Sequence, residues 1–161
     1  MSVRIKHLVL AITAVLAVSA ATASGAARVH KYTSALSSVA VSTGNGYPNP
    51  GGVAVLAGTL RLSGYGAGAL VDHVKITGHP QPNVFEFAGT EVDYLALGTW
   101  RSTLTGKSTV QPDGSQQVEV SGRFTGGTGL YRRSKGTFKF TGTVPAGSTV
   151  LTGHSTGSLT Y

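Results

Sequence analysis

The sequence predicts an all-β domain, a closed antiparallel barrel of about eight strands, with a β-sandwich as the alternative. Short runs of residues alternate between apolar and polar positions, which is the pattern of half-buried strands. Turn signals rich in Gly, Pro, Asn and Asp separate these runs, and the chain holds 23 Gly and only 12% charged residues. A barrel is preferred to a sandwich because closure leaves no strand edge exposed.

The N-terminus predicts a secretory signal peptide over residues 1–23. Basic residues come first, an apolar run covers residues 8–18, and a small-residue cleavage motif ends at Ala23. The apolar run is shorter than the ~20 residues that a membrane helix needs, and no later segment approaches that length, so we expect no membrane span. The expected mature chain is secreted or periplasmic, with an uncleaved N-terminal anchor as the alternative. The chain contains no Cys, which excludes disulfides, Cys-based metal sites and a lipoprotein anchor.

Residues 24–52 predict a flexible lead-in that ends in a loop, and residues 53–161 predict the barrel domain. The lead-in is weakly patterned up to Ser38, and residues 39–41 are a candidate first strand. Residues 44–52 read GNGYPNPGG, and this density of glycine and proline forbids regular structure.

The remaining elements follow one another along the barrel domain. Predicted strands cover residues 53–63, 70–77, 84–88, 91–97 and 98–106, then two strands of a hairpin, then one or two strands broken near Gly153 within residues 149–161. Predicted loops cover residues 64–68, 78–83, 111–114 and 144–147, where glycine and proline cluster.

The hairpin over residues 122–142 is the clearest element. Its apolar side chains share one face before the turn and one face after it, so they are predicted to be core. Three glycines within residues 126–129 predict a tight turn, because glycine accepts a positive φ without steric cost. The predicted core residues are Val118, Val120, Phe124, Phe138 and Phe140.

This hairpin also resembles a known family. It contains Phe124, Gly126, Gly127, Thr128, Gly129 and Tyr131, followed by Ser134 and Gly136. The run is similar to the F-x-G-G-T-G-x-(F/Y) segment and the following A-x-G of dirigent proteins and of the wider allene oxide cyclase-like barrels, with Ser134 in the place of the alanine. The resemblance implies an exported or organellar, eight-stranded antiparallel barrel that steers a reactive intermediate in its central cavity.

Asp72 is the first candidate site residue, because it shares a strand face with Leu70 and Ile76. A carboxylate inside a barrel has a raised pKa unless it is paired, and it is then suited to acid–base chemistry. Against that, the favoured interpretation is that Asp72 lies at the barrel rim or pairs with an arginine. Asp93 and Tyr94 form a second pair of candidates.

The absence of the corresponding sequence motifs argues against several other kinds of site. No histidine spacing fits a local zinc motif, no G-x-S-x-G nucleophile elbow occurs, and no helix follows the glycine run as a phosphate-binding loop requires. We therefore predict no metal and no cofactor.

Nucleic acid is not an expected partner, despite a formal charge of +7, because no binding motif is present. The basic cluster of Arg132, Arg133 and Lys135 predicts a solubilising surface patch.

Three functions remain as hypotheses. The first is an exported barrel that binds or steers a small apolar ligand in its cavity. The second is a structural or surface-interaction module whose barrel is filled by its own side chains, and the third is an isomerase or cyclase that uses an interior Asp. A cavity of about 300 Å³ or more would favour ligand binding. A core filled by Trp100 and the hairpin aromatics would favour the structural module.

Overall fold

The computed structural model describes residues 28–161, which form a closed antiparallel barrel of eight strands. The predicted signal peptide, residues 1–23, lies outside the described residues. Each strand pairs with the next, and the eighth pairs with the first. The strands are β1 (His30–Thr43), β2 (Val53–Leu62), β3 (Gly66–Gln81), β4 (Val84–Leu95), β5 (Gly98–Val110), β6 (Gln116–Gly127), β7 (Lys135–Val144) and β8 (Val150–Thr160). This architecture confirms the predicted all-β barrel and excludes the sandwich.

The first strand corrects the predicted start of the barrel. β1 pairs with both β2 and β8, so the barrel begins at His30 rather than at residue 53. The prediction of a flexible lead-in up to Ser38 is therefore wrong for residues 30–38, which belong to β1. Its inward positions include Ser34 and Ser38, which are 6% and 2% exposed. Because serines take these inward positions, β1 lacks the apolar alternation that identifies a strand in a sequence.

Three other strands are longer than their sequence patterns predict. β3 continues to Gln81 through a predicted loop, β4 joins two predicted strands, and β8 is not broken at Gly153. Every strand of a closed barrel has a neighbour on both sides, so its backbone groups remain paired even at glycine. Gly153, for example, pairs with Leu36 on one side and with Gly142 on the other.

The connection between β6 and β7 is not the tight turn that its glycines predict. Residues 128–134 separate the two strands and include a 3-10 turn at Gly129–Tyr131. The Leu130 N–H donates to the Leu97 carbonyl at 3.0 Å, which ties this loop to the connection between β4 and β5. Tyr131 thereby turns into the barrel and is 2% exposed. This turn is the only helical element in residues 28–161, and no helix there is long and apolar enough to cross a membrane.

Inward-facing glycines make room for the inward-facing aromatic rings. Phe138 lies between Gly122 on β6 and Gly157 on β8, its two cross-strand partners. A Cβ atom at Gly122 would overlap the Phe138 ring. Phe87 has the same relation to Gly106 on β5. The glycine content therefore reflects the volume of aromatic side chains inside the barrel as well as its turns.

One end of the barrel is closed by packed aromatic rings. Trp100 lies at the centre of this end, is 1% exposed, and has ring centroids 5.0 to 5.6 Å from those of its neighbours. These neighbours are Tyr32, Tyr65, Phe124 and Tyr131. We call these five residues the closed end. The predicted core residues Phe138 and Phe140 are 6% and 4% exposed, so their burial is confirmed.

Candidate functional site

A cavity with a volume of about 480 Å³ extends from the layer next to the closed end, where Tyr32 and Asp93 line it, to the opposite end of the barrel. We call the opposite end the open end; its connections are residues 44–52, 82–83, 111–115 and 145–149. Apolar side chains from all eight strands line the cavity, among them Leu36, Leu56, Leu70, Phe87, Leu104, Val118, Phe140 and Leu151. The volume exceeds the ~300 Å³ at which small-molecule pockets begin. The barrel is therefore filled by its own side chains at one end only.

The loop of residues 44–52 borders the mouth of this cavity. Tyr47 and Pro48 line the cavity, and the Pro48 carbonyl accepts a hydrogen bond of 2.8 Å from His79 Nε2. The His79 ring packs against Phe85, with ring centroids 4.2 Å apart, and Phe85 also lines the cavity. Aromatic side chains and a proline thus frame this side of the entrance, as expected of a site that admits an apolar molecule.

Three carboxyl groups line the cavity from two neighbouring strands. Asp72 on β3 is the cross-strand partner of Glu91 on β4, and Asp93 follows on the same face of β4. Ser102 on β5 lies opposite Glu91 and donates a hydrogen bond of 3.4 Å to its Oε1 atom. We call Asp72, Glu91 and Asp93 the acid cluster.

Burial raises the pKa of every member of the acid cluster. It raises the pKa of Asp72 to about 6, and together with the charge of Asp72 it raises the pKa of Asp93 to about 7. The pKa of Glu91 lies well above its usual range because of burial and of the charges on Asp93 and Asp72. The interaction between Glu91 and Asp72 raises the pKa of Glu91 further and offsets part of the increase at Asp72.

No basic group neutralises the acid cluster. Among residues 28–161, no Lys, Arg or His lines the cavity, and all Lys and Arg side chains are exposed. The only ion pair in that part of the chain joins Lys107 to Glu119 at 3.3 Å, on the outer surface. The expectation that Asp72 lies at the rim or pairs with an arginine is therefore wrong. Strand alternation turns Asp72 inward with Leu70 and Ile76, and it turns the basic side chains outward.

Hydroxyl groups share the cavity with the acid cluster. The hydroxyl oxygens of Ser34 on β1 and Ser155 on β8 lie 2.6 Å apart and form a hydrogen bond. Tyr32 on β1 has a pKa above its usual range, first because of burial and then because of the charges on Asp93 and Glu91. The cavity therefore combines apolar walls with a polar region around the acid cluster, an arrangement that can orient a ligand.

The structure brings two of the three predicted site residues together and separates the third. Asp72 and Asp93 both line the cavity, whereas Tyr94 points outward from β4 and is 51% exposed. The separation follows because neighbouring side chains of a strand point to opposite faces. Sequence reasoning misses Glu91, although its position on the strand face of Phe87 and Asp93 was a usable signal.

No group of residues within 28–161 has an arrangement of side chains that could hold a metal ion. Comparisons of the chain with protein-family models, with curated proteins and with solved structures found no match. The function is therefore inferred from the cavity and its lining.

Proposed function

We propose that this protein is a ligand-binding barrel that takes a small, largely apolar molecule into its open end. The observation that carries the proposal is the cavity of about 480 Å³, lined mainly by aliphatic and aromatic side chains. Pockets of this size and character bury most of the surface of a small molecule. The resemblance of residues 124–136 to dirigent and allene oxide cyclase-like barrels points in the same direction.

The hypothesis of a purely structural module has less support. Trp100 and Phe124 are 1% and 3% exposed at the closed end, whereas Phe85 and Phe87 at the open end are only half-buried. An unfilled apolar cavity costs stability, because its lining atoms lose packing partners. A protein that acted only through its outer surface would gain nothing in return for that cost.

Two tryptophan substitutions on β5 test the proposal. Leu104 is 5% exposed and lines the cavity, so Leu104→Trp places a large ring in the proposed binding space. Thr103 is its exposed neighbour, so Thr103→Trp places the same ring outside. The neutral fluorophore N-phenylnaphthylamine should bind the wild type and Thr103→Trp equally, and Leu104→Trp at least about tenfold more weakly, in a fluorescence titration. Unchanged binding by Leu104→Trp would contradict the proposal.

Native mass spectrometry provides the complementary measurement. Protein purified from its own source should carry a small molecule of additional mass that organic extraction releases. A natural ligand identified in this way also supplies the compound for tests of catalysis.

A second candidate function is proton-transfer catalysis, an isomerase or cyclase reaction in the same cavity. Asp93 favours it, because this carboxyl group is 6% exposed and its pKa is raised to about 7, where it exchanges a proton at neutral pH. The co-purified molecule would be incubated in heavy water with the wild type, Asp72→Asn, Asp93→Asn or the outward-facing control Glu86→Gln. Catalysis is supported if deuterium uptake by the molecule is about hundredfold slower with an Asp variant than with the wild type, while Glu86→Gln leaves it unchanged. Equal uptake with all four proteins rejects it.

A further inference from the structure

The acidic residues of this chain are distributed in an unusual way. The chain has 13 Lys and Arg but only 6 Asp and Glu, and three of those acids form the acid cluster inside the cavity. Burying carboxyl groups among apolar side chains is unfavourable unless they are neutral or meet a positive charge. Residues 28–161 provide no such charge, since no Lys, Arg or His among them lines the cavity.

Buried hydrogen-bond acceptors in the cavity lack partners. Asp93 is 6% exposed, lines the cavity, and forms no ion pair with residues 28–161. Asp72 Oδ1 and the Ser38 hydroxyl are buried without a hydrogen-bond partner in that part of the chain, and both residues line the cavity. Native proteins leave few such groups unsatisfied, so the cavity suits a ligand that donates hydrogen bonds.

We propose that the ligand is an apolar molecule that carries one positively charged amine, and that the amine lies against Asp93, Glu91 and Asp72. This inference rests on the proposed binding function and specifies its ligand class. An ammonium group supplies a positive charge and up to three N–H donors, which matches three neighbouring carboxyl groups with no cationic partner among residues 28–161. The apolar remainder of the ligand would lie among the aliphatic and aromatic side chains of the open end.

Two other ligand classes fit the cavity less well. A carboxylate or phosphate ligand would face three acidic groups with no basic partner, and like charges in a low-dielectric site repel strongly. A bare metal ion does not fit either, because no group of residues within 28–161 is arranged to hold one. An organic amine needs only hydrogen-bond contact and tolerates the surrounding apolar walls.

The titratable groups that face the amine position lie on three strands. They are Asp72 on β3, Glu91 and Asp93 on β4, and Tyr32 on β1; the remaining strands place no titratable group in the lining. A bound cation favours the ionised carboxyl groups, so binding releases protons and strengthens as pH rises. Amine affinity should therefore increase between pH 5 and pH 8, whereas the affinity of a neutral analogue should stay constant.

Three probes of equal chain length test the inference: octylamine, octanol and octanoate. Binding is followed by isothermal titration calorimetry and by the fluorescence of Trp100, which is the only Trp in the chain and faces Asp93 across β4 and β5. At pH 8 octylamine should bind at least about tenfold more tightly than octanol, as expected for hydrogen bonds between charged groups. Octanoate should bind most weakly.

Matched substitutions on one strand localise the effect. Glu91→Gln and Asp93→Asn should each weaken octylamine binding at least about tenfold and leave octanol binding unchanged. Glu86→Gln, an outward-facing change on β4, should affect neither probe. Circular dichroism checks that each variant is folded, and the pH series on the wild type tests the inference without any substitution.

The outcomes separate this inference from the proposed function. Equal binding of octylamine and octanol, or octylamine binding that does not change with pH, would overturn the amine assignment and leave the apolar binding function standing. Tighter binding of octanoate would also overturn it. If neither these probes nor the neutral fluorophore binds, both proposals fail.

Discussion

The closed and open ends of this barrel are built from the same eight strands, yet they are packed in opposite ways. At the closed end, aromatic rings surround Trp100, which is 1% exposed. Toward the open end, the strands leave a cavity of about 480 Å³, and three carboxyl groups line it between the middle of the barrel and the closed end. Ring packing stabilises the first arrangement, whereas unfilled space and buried acids destabilise the second. The closed end thus stabilises the fold while the cavity keeps the space and polarity of a binding site.

Removing one aromatic ring from each end should produce the largest effects. Phe124→Ala should lower the free energy of unfolding by about 4 kcal/mol, because Phe124 is 3% exposed and packs against three other rings. Phe85→Ala should lower it by only about 1 kcal/mol, since Phe85 is half-buried at the mouth. Urea unfolding followed by circular dichroism measures both losses. Equal losses would show that the two ends do not differ in their contribution to stability.

The acid cluster should make the stability of the barrel depend on pH. Folding raises the pKa of Asp93 from 3.8 to about 7, so the folded state binds this proton more tightly. The resulting stabilisation is complete below about pH 4 and is lost as pH rises through about 7. From Asp93 alone, the free energy of unfolding should fall by about 4 kcal/mol between pH 4 and pH 8. Chemical denaturation across this range measures the decrease.

Two variants show whether Asp93 causes that decrease. Asp93→Asn removes its titration and should raise the free energy of unfolding by about 2 kcal/mol at pH 8, because an uncompensated buried charge disappears. Glu86→Gln changes an exposed carboxylate on the same strand and should leave the pH dependence intact. Stability of the wild type that increases from pH 4 to pH 8 would mean that the acid cluster is better solvated than its burial indicates.

The barrel could be predicted from sequence because its signals are local and repeated. Alternation correctly identifies Phe138 and Phe140 as buried, and it turns Asp72 inward with the core residues of β3. The same reasoning fails where polar residues face inward. In β1, inward-facing serines remove the apolar alternation that identifies a strand. Near the end of β4, the acids face inward while Val92 and Tyr94 face outward. Polarity along a strand shows that its faces differ, but it does not show which face meets the core.

The division into two ends could not be predicted, because it depends on residues far apart in sequence. Tyr65 and Tyr131 reach Trp100 from two separate connections, and the 3-10 turn that carries Tyr131 replaces a predicted tight turn. The cavity volume depends in turn on closure of β8 against β1. Asp72 and Glu91 become partners only through the register of β3 and β4.

Adding a single carbon atom beside the packed aromatic rings, and another beside the unfilled space, should produce the smallest effects and the most direct contrast. Gly122→Ala places a methyl group against the Phe138 ring, and should lower the free energy of unfolding by about 2 kcal/mol. Val118→Leu extends a side chain that is 7% exposed and lines the cavity, and should change the free energy of unfolding by less than about 0.5 kcal/mol. The effect is small because the added atom enters unfilled space. Thermal or urea unfolding of the two variants measures the difference.

A double-mutant cycle assigns the Gly122 effect to the ring. In a Phe138→Leu background, Gly122→Ala should cost about 1 kcal/mol less, because the smaller side chain leaves room for the methyl group. If Gly122→Ala proves as mild as Val118→Leu in the wild type, the region around Phe138 is packed as loosely as the cavity. The open end would then be one part of a uniformly loose interior, and its unfilled space would no longer distinguish it as a binding site.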